Sequence, residues 1–177
     1  MQLTIAGDSC SLVPRPQCAL ILTLHDPTLA NRYYADGLWH DDAFYSLAAG
    51  EARERPDVVA LIDGQNSWTW AAVCARADAS AAHLSAAGLV PGYRVSMWLS
   101  NHVAAVIVFL ACSRAGFVCN PSLPRTYTNL EVLQLAERVG SAAFVTEGNW
   151  GANADTDALI ASLRELRYQA VKRLRYE

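Results

Sequence analysis

The chain has 177 residues, 53% of them hydrophobic, and its 14 basic and 17 acidic residues leave a formal net charge of −3. A chain of this length can bury about 70% of its unfolded surface in one compact domain. Because the charges nearly cancel, no basic field would attract nucleic acid or an anionic membrane, and we expect neither as a partner.

The cysteines and the first residues bear on the cellular compartment. The five cysteines are odd in number and include no CxxC pair, which is unlike a secreted disulfide framework or a zinc site. The first eight residues carry no basic cluster, and the apolar run 18–24 is too short to cross a bilayer. We therefore expect a reduced cytoplasmic protein without a signal peptide or membrane helix.

Residues 1–30 have the least regular pattern. Prolines at positions 14, 16 and 27 each discourage a continuing helix, and Leu20–Leu24 is available for a short strand or a core contact. We therefore predict an irregular N-terminal lead-in over 1–30.

The next segment predicts a helix followed by a hairpin. Apolar residues recur at helical spacing over 41–54, and the helix is expected to end before Pro56. Val58–Ile62 then predicts a strand, Asp63-Gly64 a tight turn, and the sequence through Trp68 a returning strand. A small β-hairpin is the result.

From Thr69 onward, helical and strand patterns alternate. Thr69 is expected to cap a helix, Ser100 or Asn101 a second, and Thr128 with Glu131 forms a capping box for a third. Strands are predicted between and after these helices, at 94–99, 116–119 and 142–146. Alternating βα units imply an α/β fold around a largely parallel sheet with right-handed crossovers.

The last residues carry an apolar stripe opposite basic side chains. The spacing predicts an amphipathic helix over 159–177, with these apolar positions: Leu159, Leu163, Leu166, Ala170 and Leu174. The basic run from Arg164 to Arg175 is interrupted by Glu165, so a charged outer helix face is favoured over a nucleic-acid contact.

Four segments follow one another in a characteristic order: YYADGLW at 33–39, RPDVVAL at 55–61, GLVPGYRV at 88–95 and LACSRAGFVCNPSL at 110–123. Together they resemble the N-terminal subdomain of acyl-CoA synthetases, in the AMP-binding or adenylate-forming ligase superfamily. Within it they are most similar to bacterial cyclohexanecarboxylate or benzoate type CoA ligases. The resemblance implies that residues 31–158 form an incomplete N-terminal subdomain of such a ligase.

The resemblance implies an ATP-dependent activity. These ligases make an acyl-adenylate from a carboxylic acid with ATP and Mg²⁺ and then transfer the acyl group to coenzyme A. The phosphates require a Gly-rich loop with a lysine. The chain has one lysine, Lys172, and Gly148-Asn149-Trp150-Gly151 lacks the serines, threonines and lysine of such a loop. We therefore expect no catalytic residue, no metal ligand and no activity in these residues alone.

Arg125 is the one candidate binding residue. It lies near where some ligases of this type place a basic residue that reaches the CoA nucleotide, and a guanidinium suits phosphate. A solvated loop arginine is the alternative interpretation. Cys112 and Cys119 could act as a nucleophile or redox pair, but their apolar surroundings favour core packing. The four histidines are scattered, and we interpret them as structural or surface residues, with His40 weakly able to bind a cation beside Asp41 and Asp42.

Two functional classes remain open. The first is the N-terminal part of an acyl-CoA synthetase whose catalysis requires further segments. The second is a non-catalytic interaction module. An incomplete sheet exposes a strand edge and apolar faces, which would favour a homodimer or pairing with the remaining ligase segments.

Overall fold

The computed structural model describes residues 26–121, 124–152, 155–165 and 170–174, so the predicted strand at Leu20–Leu24 lies outside the described residues. The helices in this part of the chain are α1 Pro27–Ala35, α2 Phe44–Glu54, α3 Trp70–Ala86, α4 Val103–Ala115, α5 Asn129–Val139 and α6 Thr156–Glu165. The strands are β1 Val59–Asp63, β2 Asn66–Thr69, β3 Arg94–Trp98, β4 Val118–Asn120, β5 Ala143–Glu147 and β6 Ala170–Leu174. Among the described helices, none combines the length and apolar character needed to cross a bilayer.

Four strands form one parallel sheet in the order β4-β3-β5-β6. Alternate residues of a strand face opposite sides of the sheet. Val95 and Met97 of β3 accordingly pack with α4, whereas Trp98 packs with α5 and α6. Helices therefore cover both faces, and the predicted α/β fold with a largely parallel sheet is confirmed.

The predicted hairpin is also confirmed, and it is separate from the parallel sheet. β1 and β2 pair antiparallel, with Asp63 opposite Asn66 at the turn. A further core cluster joins the hairpin side of the molecule to α2, α3 and α4, and it includes Ala48, Val73 and Leu110. Helix α4 therefore has buried residues on both of its sides, which explains why its sequence is apolar almost all round.

Polar contacts join α2, α3 and α4. The hydroxyl of Tyr45 and the guanidinium of Arg114 both donate to the carboxylate of Asp78. The backbone N–H of Tyr45 donates to the hydroxyl of Ser113 at 3.1 Å, and the Arg114 guanidinium lies 5.2 Å from the centre of the Tyr45 ring. The side chains of Tyr45, Asp78 and Arg114, one from each helix, therefore meet at a single point.

The prediction of an irregular lead-in is wrong for its last residues, because α1 begins at Pro27. Proline is favourable at the first helical position, where its missing N–H has no intrahelical partner and its fixed φ suits the helix. The Asp26 carboxylate caps the helix and accepts from the N–H of Thr28 at 2.8 Å. A proline interpreted as a helix breaker is here a helix start.

The prediction of one helix over 159–177 is also wrong. Helix α6 ends at Glu165, and Ala170–Leu174 forms β6, which pairs parallel with β5. Leu159 and Leu163 are fully buried, so the predicted apolar stripe holds within α6. Beyond α6, the edge of β5 that faces away from β3 has backbone N–H and C=O groups without a partner. A strand added at this edge forms hydrogen bonds with these groups, whereas a continuing helix would not.

We expect Gly151→Ala to lower the free energy of unfolding by about 3 kcal/mol, from backbone strain and overpacking together. Gly151 has φ 101°, and a Cβ there would overlap the indole of the fully buried Trp98. Gly92→Ala is the matched control, because Gly92 has φ 86° but open space around its Cα. It should cost about 1 kcal/mol. Urea denaturation measures both, and equal losses would contradict the packing argument.

Candidate functional site

The candidate site lies where β3 and β5 end. From β3 the chain crosses to β4 on one side, and from β4 it crosses back to β5 on the other side of β3. The connection from β3 to β4 and the connection from β5 to β6 therefore leave these two neighbouring strands in opposite directions. In open parallel sheets, the crevice beyond the carboxyl ends of such strands is where ligands bind. The loops that follow β3, β4 and β5 therefore form the natural candidate site.

A buried carboxylate fixes the loop after β3. Glu147, the last residue of β5, is 8% exposed. Its Oε1 accepts from the backbone N–H of Ser100 at 2.9 Å, and its Oε2 accepts from the Ser100 hydroxyl at 2.8 Å. Hydrogen bonds to an ionised acceptor are stronger than those between neutral groups. Glu147 therefore ties the carboxyl ends of the two neighbouring strands together.

A second carboxylate, from the hairpin, caps α4. Asp63 Oδ2 accepts from the N–H of Val103, and Asp63 Oδ1 accepts from Nδ1 of His102, each at 3.0 Å. The N-cap position is His102 and not the predicted Ser100 or Asn101. A carboxylate at a helix N-terminus satisfies a free N–H and interacts favourably with the helix dipole. Asp63 of the hairpin therefore caps α4, the role that the sequence predicted for Ser100 or Asn101.

The contact between Asp63 and His102 shifts both pKa values in the directions expected for an ion pair. The hydrogen bond to Asp63 raises the pKa of His102, although partial desolvation opposes the shift. The hydrogen bond from His102, helped by the N–H of Val103, lowers the pKa of Asp63. The sequence interpretation of His102 as a structural or surface residue did not identify this partner, which lies 39 positions earlier in the chain.

Arg125 lies at the same edge of the sheet, in the segment after β4. Its guanidinium is 5.0 Å from the centre of the Trp150 ring, which belongs to the loop after β5. The indole N–H of Trp98 donates to the carbonyl of Pro124 at 3.0 Å, and Gly151 packs directly on the Trp98 ring. The loops after β4 and β5 thus converge over the end of β3. The expected contact of Arg125 with a CoA nucleotide stays a prediction.

The cysteines of the described segments lie away from this edge. Cys112 is fully buried and Cys119 half-buried, and both pack in the core cluster between β3 and α4. Cys74 is buried in the cluster beside the hairpin. The prediction that Cys112 and Cys119 pack in the core is confirmed. Within the described residues, no three histidine, cysteine or acidic side chains are placed to share a metal ion.

An apolar groove lies between α2, α4 and β1, with a volume of about 360 Å³. Phe44 and Leu47 line it and keep 66% and 56% of their surface exposed. The Phe44 ring lies 5.1 Å from that of Phe109, which belongs to α4. Large apolar side chains exposed next to one another are typical of a contact surface.

Residues 49–175 match the AMP-binding enzyme family. The chain is 32% identical over 117 residues to the 2-hydroxy-7-methoxy-5-methyl-1-naphthoate–CoA ligase of Streptomyces carzinostaticus, covering 66% of this chain and 21% of that ligase. It is 31% identical over 93 residues to the medium-chain fatty-acid–CoA ligase of Escherichia coli, covering 52% of this chain and 16% of that ligase.

Among solved structures, apo MbtA of Mycobacterium smegmatis superposes with a TM-score of 0.69 and 29% identity, covering 82% of this chain and 27% of that one. The fold is therefore that of an adenylate-forming ligase, and the chain resembles the N-terminal region of such enzymes. The chain belongs to the AMP-binding enzyme family. It spans about a fifth or less of the length of the curated relatives it matches.

We expect the Asp63–His102 pair to stabilise the loop after β3 most between the ordinary pKa values of aspartate and histidine. The contribution of His102, whose pKa is raised, is complete below its unfolded pKa and is lost as the pH rises through its folded pKa. The contribution of Asp63, whose pKa is lowered, is complete above its unfolded pKa and is lost as the pH falls through its folded pKa.

NMR titration of His102 measures this coupling. Asp63→Asn should lower the pKa of His102 while its amide oxygen still accepts from the N–H of Val103, and Asp63→Ala should remove both contacts. An unchanged His102 pKa in both variants would show that Asp63 does not interact with the imidazolium in solution.

Proposed function

We propose that this chain forms the N-terminal part of an ATP-dependent ligase that converts a carboxylic acid to an acyl-adenylate and then to an acyl-CoA thioester. The observation that carries this proposal is the family match over residues 49–175. The superposition on MbtA over 82% of the chain supports it. Crossovers that leave β3 and β5 in opposite directions give this segment a crevice suited to a nucleotide or thioester ligand.

We propose that these residues position substrates and do not themselves perform the phosphate chemistry. The acyl-adenylate step requires a lysine-containing Gly-rich loop for the polyphosphate. Lys172 is the only lysine among the 177 residues. The loop, the carboxylate for Mg²⁺ and the catalytic lysine would come from other ligase segments, on the same or on another polypeptide. The 177 residues alone would then be inactive and would bind none of the cofactors ATP, Mg²⁺ and coenzyme A; Arg125 would contact coenzyme A only once the other segments complete the site.

Arg125 is proposed to contact a phosphate of the CoA nucleotide. Its stacking on Trp150 orients a planar guanidinium at the edge of the candidate site, where its N–H groups can donate to phosphate oxygens. An arginine held by an aromatic ring loses less side-chain freedom on binding than a fully solvated one.

The proposed acid is cyclic or aromatic, of the cyclohexanecarboxylate or benzoate type. The naphthoate ligase supports this class, because it matches 66% of the chain whereas the fatty-acid ligase matches 52%. A cytoplasmic location is proposed with it. Cys74, Cys112 and Cys119 are free thiols, as is usual in a reducing compartment.

A chimera tests the proposed function. Residues 49–175 would replace the matching segment of the Escherichia coli medium-chain fatty-acid–CoA ligase. We expect the chimera to catalyse ATP–pyrophosphate exchange in the presence of a carboxylic acid. The ligase lacking that segment and the 177-residue chain alone should both show none. A chimera that folds, as judged by circular dichroism, but shows no exchange would overturn the proposal.

The same chimera tests the role of Arg125 separately from the proposed adenylation reaction. Exchange precedes the CoA step, so Arg125→Ala should leave exchange unchanged and raise the KM for CoA about tenfold, the effect of losing one charged hydrogen bond. Arg125→Lys is the control that keeps the charge and loses the planar fork. An unchanged KM would remove Arg125 from the CoA site without affecting the proposed reaction.

A second candidate function is an interaction module, and the apolar groove favours it. Phe44 and Leu47 expose large apolar surfaces beside the groove, and burying them in a contact is favourable at about 25 cal/mol per Å². We propose that a second copy of the chain covers this groove when the remaining ligase segments do not.

Light scattering after size exclusion tests this contact. We expect the 177-residue chain to elute as a homodimer and Phe44→Ser to shift it to a monomer. Leu38→Ser is the matched control, because Leu38 is 67% exposed and does not line the groove. A monomeric wild-type chain at all concentrations, or an equal effect of both substitutions, would contradict the proposal.

A further inference from the structure

An aromatic patch lies at the C-terminal end of α1. It consists of Tyr33 and Tyr34, from the last turn of the helix, and Trp39, from the turn that follows. Gly37 has φ 70°, and the backbone N–H groups of Leu38 and Trp39 both donate to the carbonyl of Tyr33, at 2.9 and 3.1 Å. This turn reverses the chain after α1 and brings Trp39 back to the two tyrosines.

The rings of the aromatic patch contact one another and are exposed to solvent. The centre of the Trp39 ring lies 5.1 Å from that of Tyr33 and 5.8 Å from that of Tyr34. The Trp39 and Tyr34 rings are perpendicular, so the ring that presents its edge has both of its faces uncovered by the other. Trp39 and Tyr34 are 41% and 49% exposed. The patch therefore presents ring faces, which are electron-rich, to solvent.

The charged residues beside the aromatic patch are mostly acidic. Residues 33–42 contain no lysine or arginine and three exposed aspartates, which are Asp36, Asp41 and Asp42. The preceding Arg32 offsets one of these charges through its ion pair with Asp36 at 3.4 Å. A hydrogen bond to Asp41 and the charge of that carboxylate raise the pKa of Tyr34, in agreement with a carboxylate beside the patch. Aromatic faces and nearby carboxylates both attract a cation.

Helix α1, which carries the two tyrosines, is short and largely exposed. It has nine residues, of which Ala30 is buried. Among the described helices and strands, none packs extensively on α1. A helix shorter than about 12 residues is marginally stable in water unless one of its faces packs against other groups. A partner that covers the aromatic patch would therefore also stabilise α1.

Arginine is the cation that suits this patch best. A guanidinium is planar and weakly hydrated, so it can stack on a ring while its N–H groups donate to a carboxylate. Guanidinium groups lie 4.3 to 5.2 Å from aromatic ring centres elsewhere in the described residues, in the pairs Arg76–Trp68, Arg114–Tyr45 and Arg125–Trp150. The combination of exposed rings and aspartates therefore complements a partner rich in arginine.

We propose that the aromatic patch and its aspartates form a docking surface for an arginine-rich segment of a partner protein. An arginine side chain stacks on an exposed ring face of Tyr34 or Trp39, and its N–H groups donate to the carboxylate of Asp41 or Asp42. The surface precedes the matched residues 49–175 in the chain, and its binding does not depend on the proposed ligase reaction.

NMR titration tests the proposal on the full 177-residue chain. The probe is a capped octapeptide of alternating glycine and arginine, and the control peptide has glutamate in place of each arginine. We expect the arginine peptide to shift the indole N–H signal of Trp39 and the backbone amide signal of Tyr34 in a saturable way. Raising the ionic strength to about 0.5 M should weaken this binding about fivefold, because salt screens exposed charges. The glutamate peptide should shift neither signal.

Substitutions identify what the arginine peptide recognises. Trp39→Leu and Tyr34→Leu each remove one ring and should weaken binding about threefold. Leu38→Ala is the matched control, because it removes exposed apolar surface from the same turn and should leave binding unchanged. Asp41→Asn should weaken binding and reduce its salt dependence, whereas Glu54→Gln, the same loss of charge at an exposed residue of α2, should do neither. Amide spectra check that each variant keeps its fold.

Several outcomes would overturn the proposal. These are the absence of a saturable shift with the arginine peptide, equal binding of the arginine and glutamate peptides, and equal losses in Trp39→Leu and Leu38→Ala. An effect of Glu54→Gln as large as that of Asp41→Asn would overturn it too, because the peptide would then respond to net charge and not to this surface.

Discussion

The burial of β3 is the constraint on which the rest of the structure depends. Both edges of β3 are paired, with β4 and β5, and its residues from Val95 to Trp98 are all buried. A central strand can carry a polar side chain only if that side chain is hydrogen-bonded. Ser96 meets this condition, because its hydroxyl lies 2.5 Å from that of Ser141 and accepts from the Asn120 amide at 3.2 Å. This polar contact joins β3 to β4 and to the residues just before β5.

The position of β3 determines the geometry of the candidate site. The loop after β3 is held from the sheet side by Glu147 and from the hairpin side by Asp63, so two carboxylates fix its position. The loops after β4 and β5 meet over Trp98, where Pro124 accepts its indole N–H and Gly151 leaves room for its ring. Short loops fixed by buried partners place side chains more precisely than long free loops would.

The sequence predicts the parts of this structure that depend on local chemistry. The Thr128–Glu131 capping box forms as predicted, because the two residues are neighbours on one helical turn. The cap of α4 could not be predicted, since Asp63 reaches it across 39 positions and only the folded hairpin brings it there. Strand β6 was missed for a related reason. Its residues suit a helix as well as a strand, and only the open edge of β5 decides between them.

The contact of Arg125 with Trp150 is likewise a product of topology. Each follows a different strand, and the two strands lie on opposite sides of β3. No spacing in the sequence predicts the contact between Arg125 and Trp150. It arises because the chain crosses from one side of β3 to the other between β4 and β5.

Because the chain crosses β3 in this way, its polar and its apolar side chains lie on two separate surfaces. Its polar, loop-borne side chains gather at the carboxyl edge of the sheet, whereas its exposed apolar side chains Phe44 and Leu47 lie on the helical layer beside the hairpin. Two surfaces of different chemistry require two kinds of neighbour. A polar ligand suits the first, because the carboxylates of Glu147 and Asp63 already orient its loops, and an apolar protein surface suits the second. In the proposed ligase, a segment built in this way would position substrates at a larger reaction site, since the precision of its loops comes from the sheet beneath them.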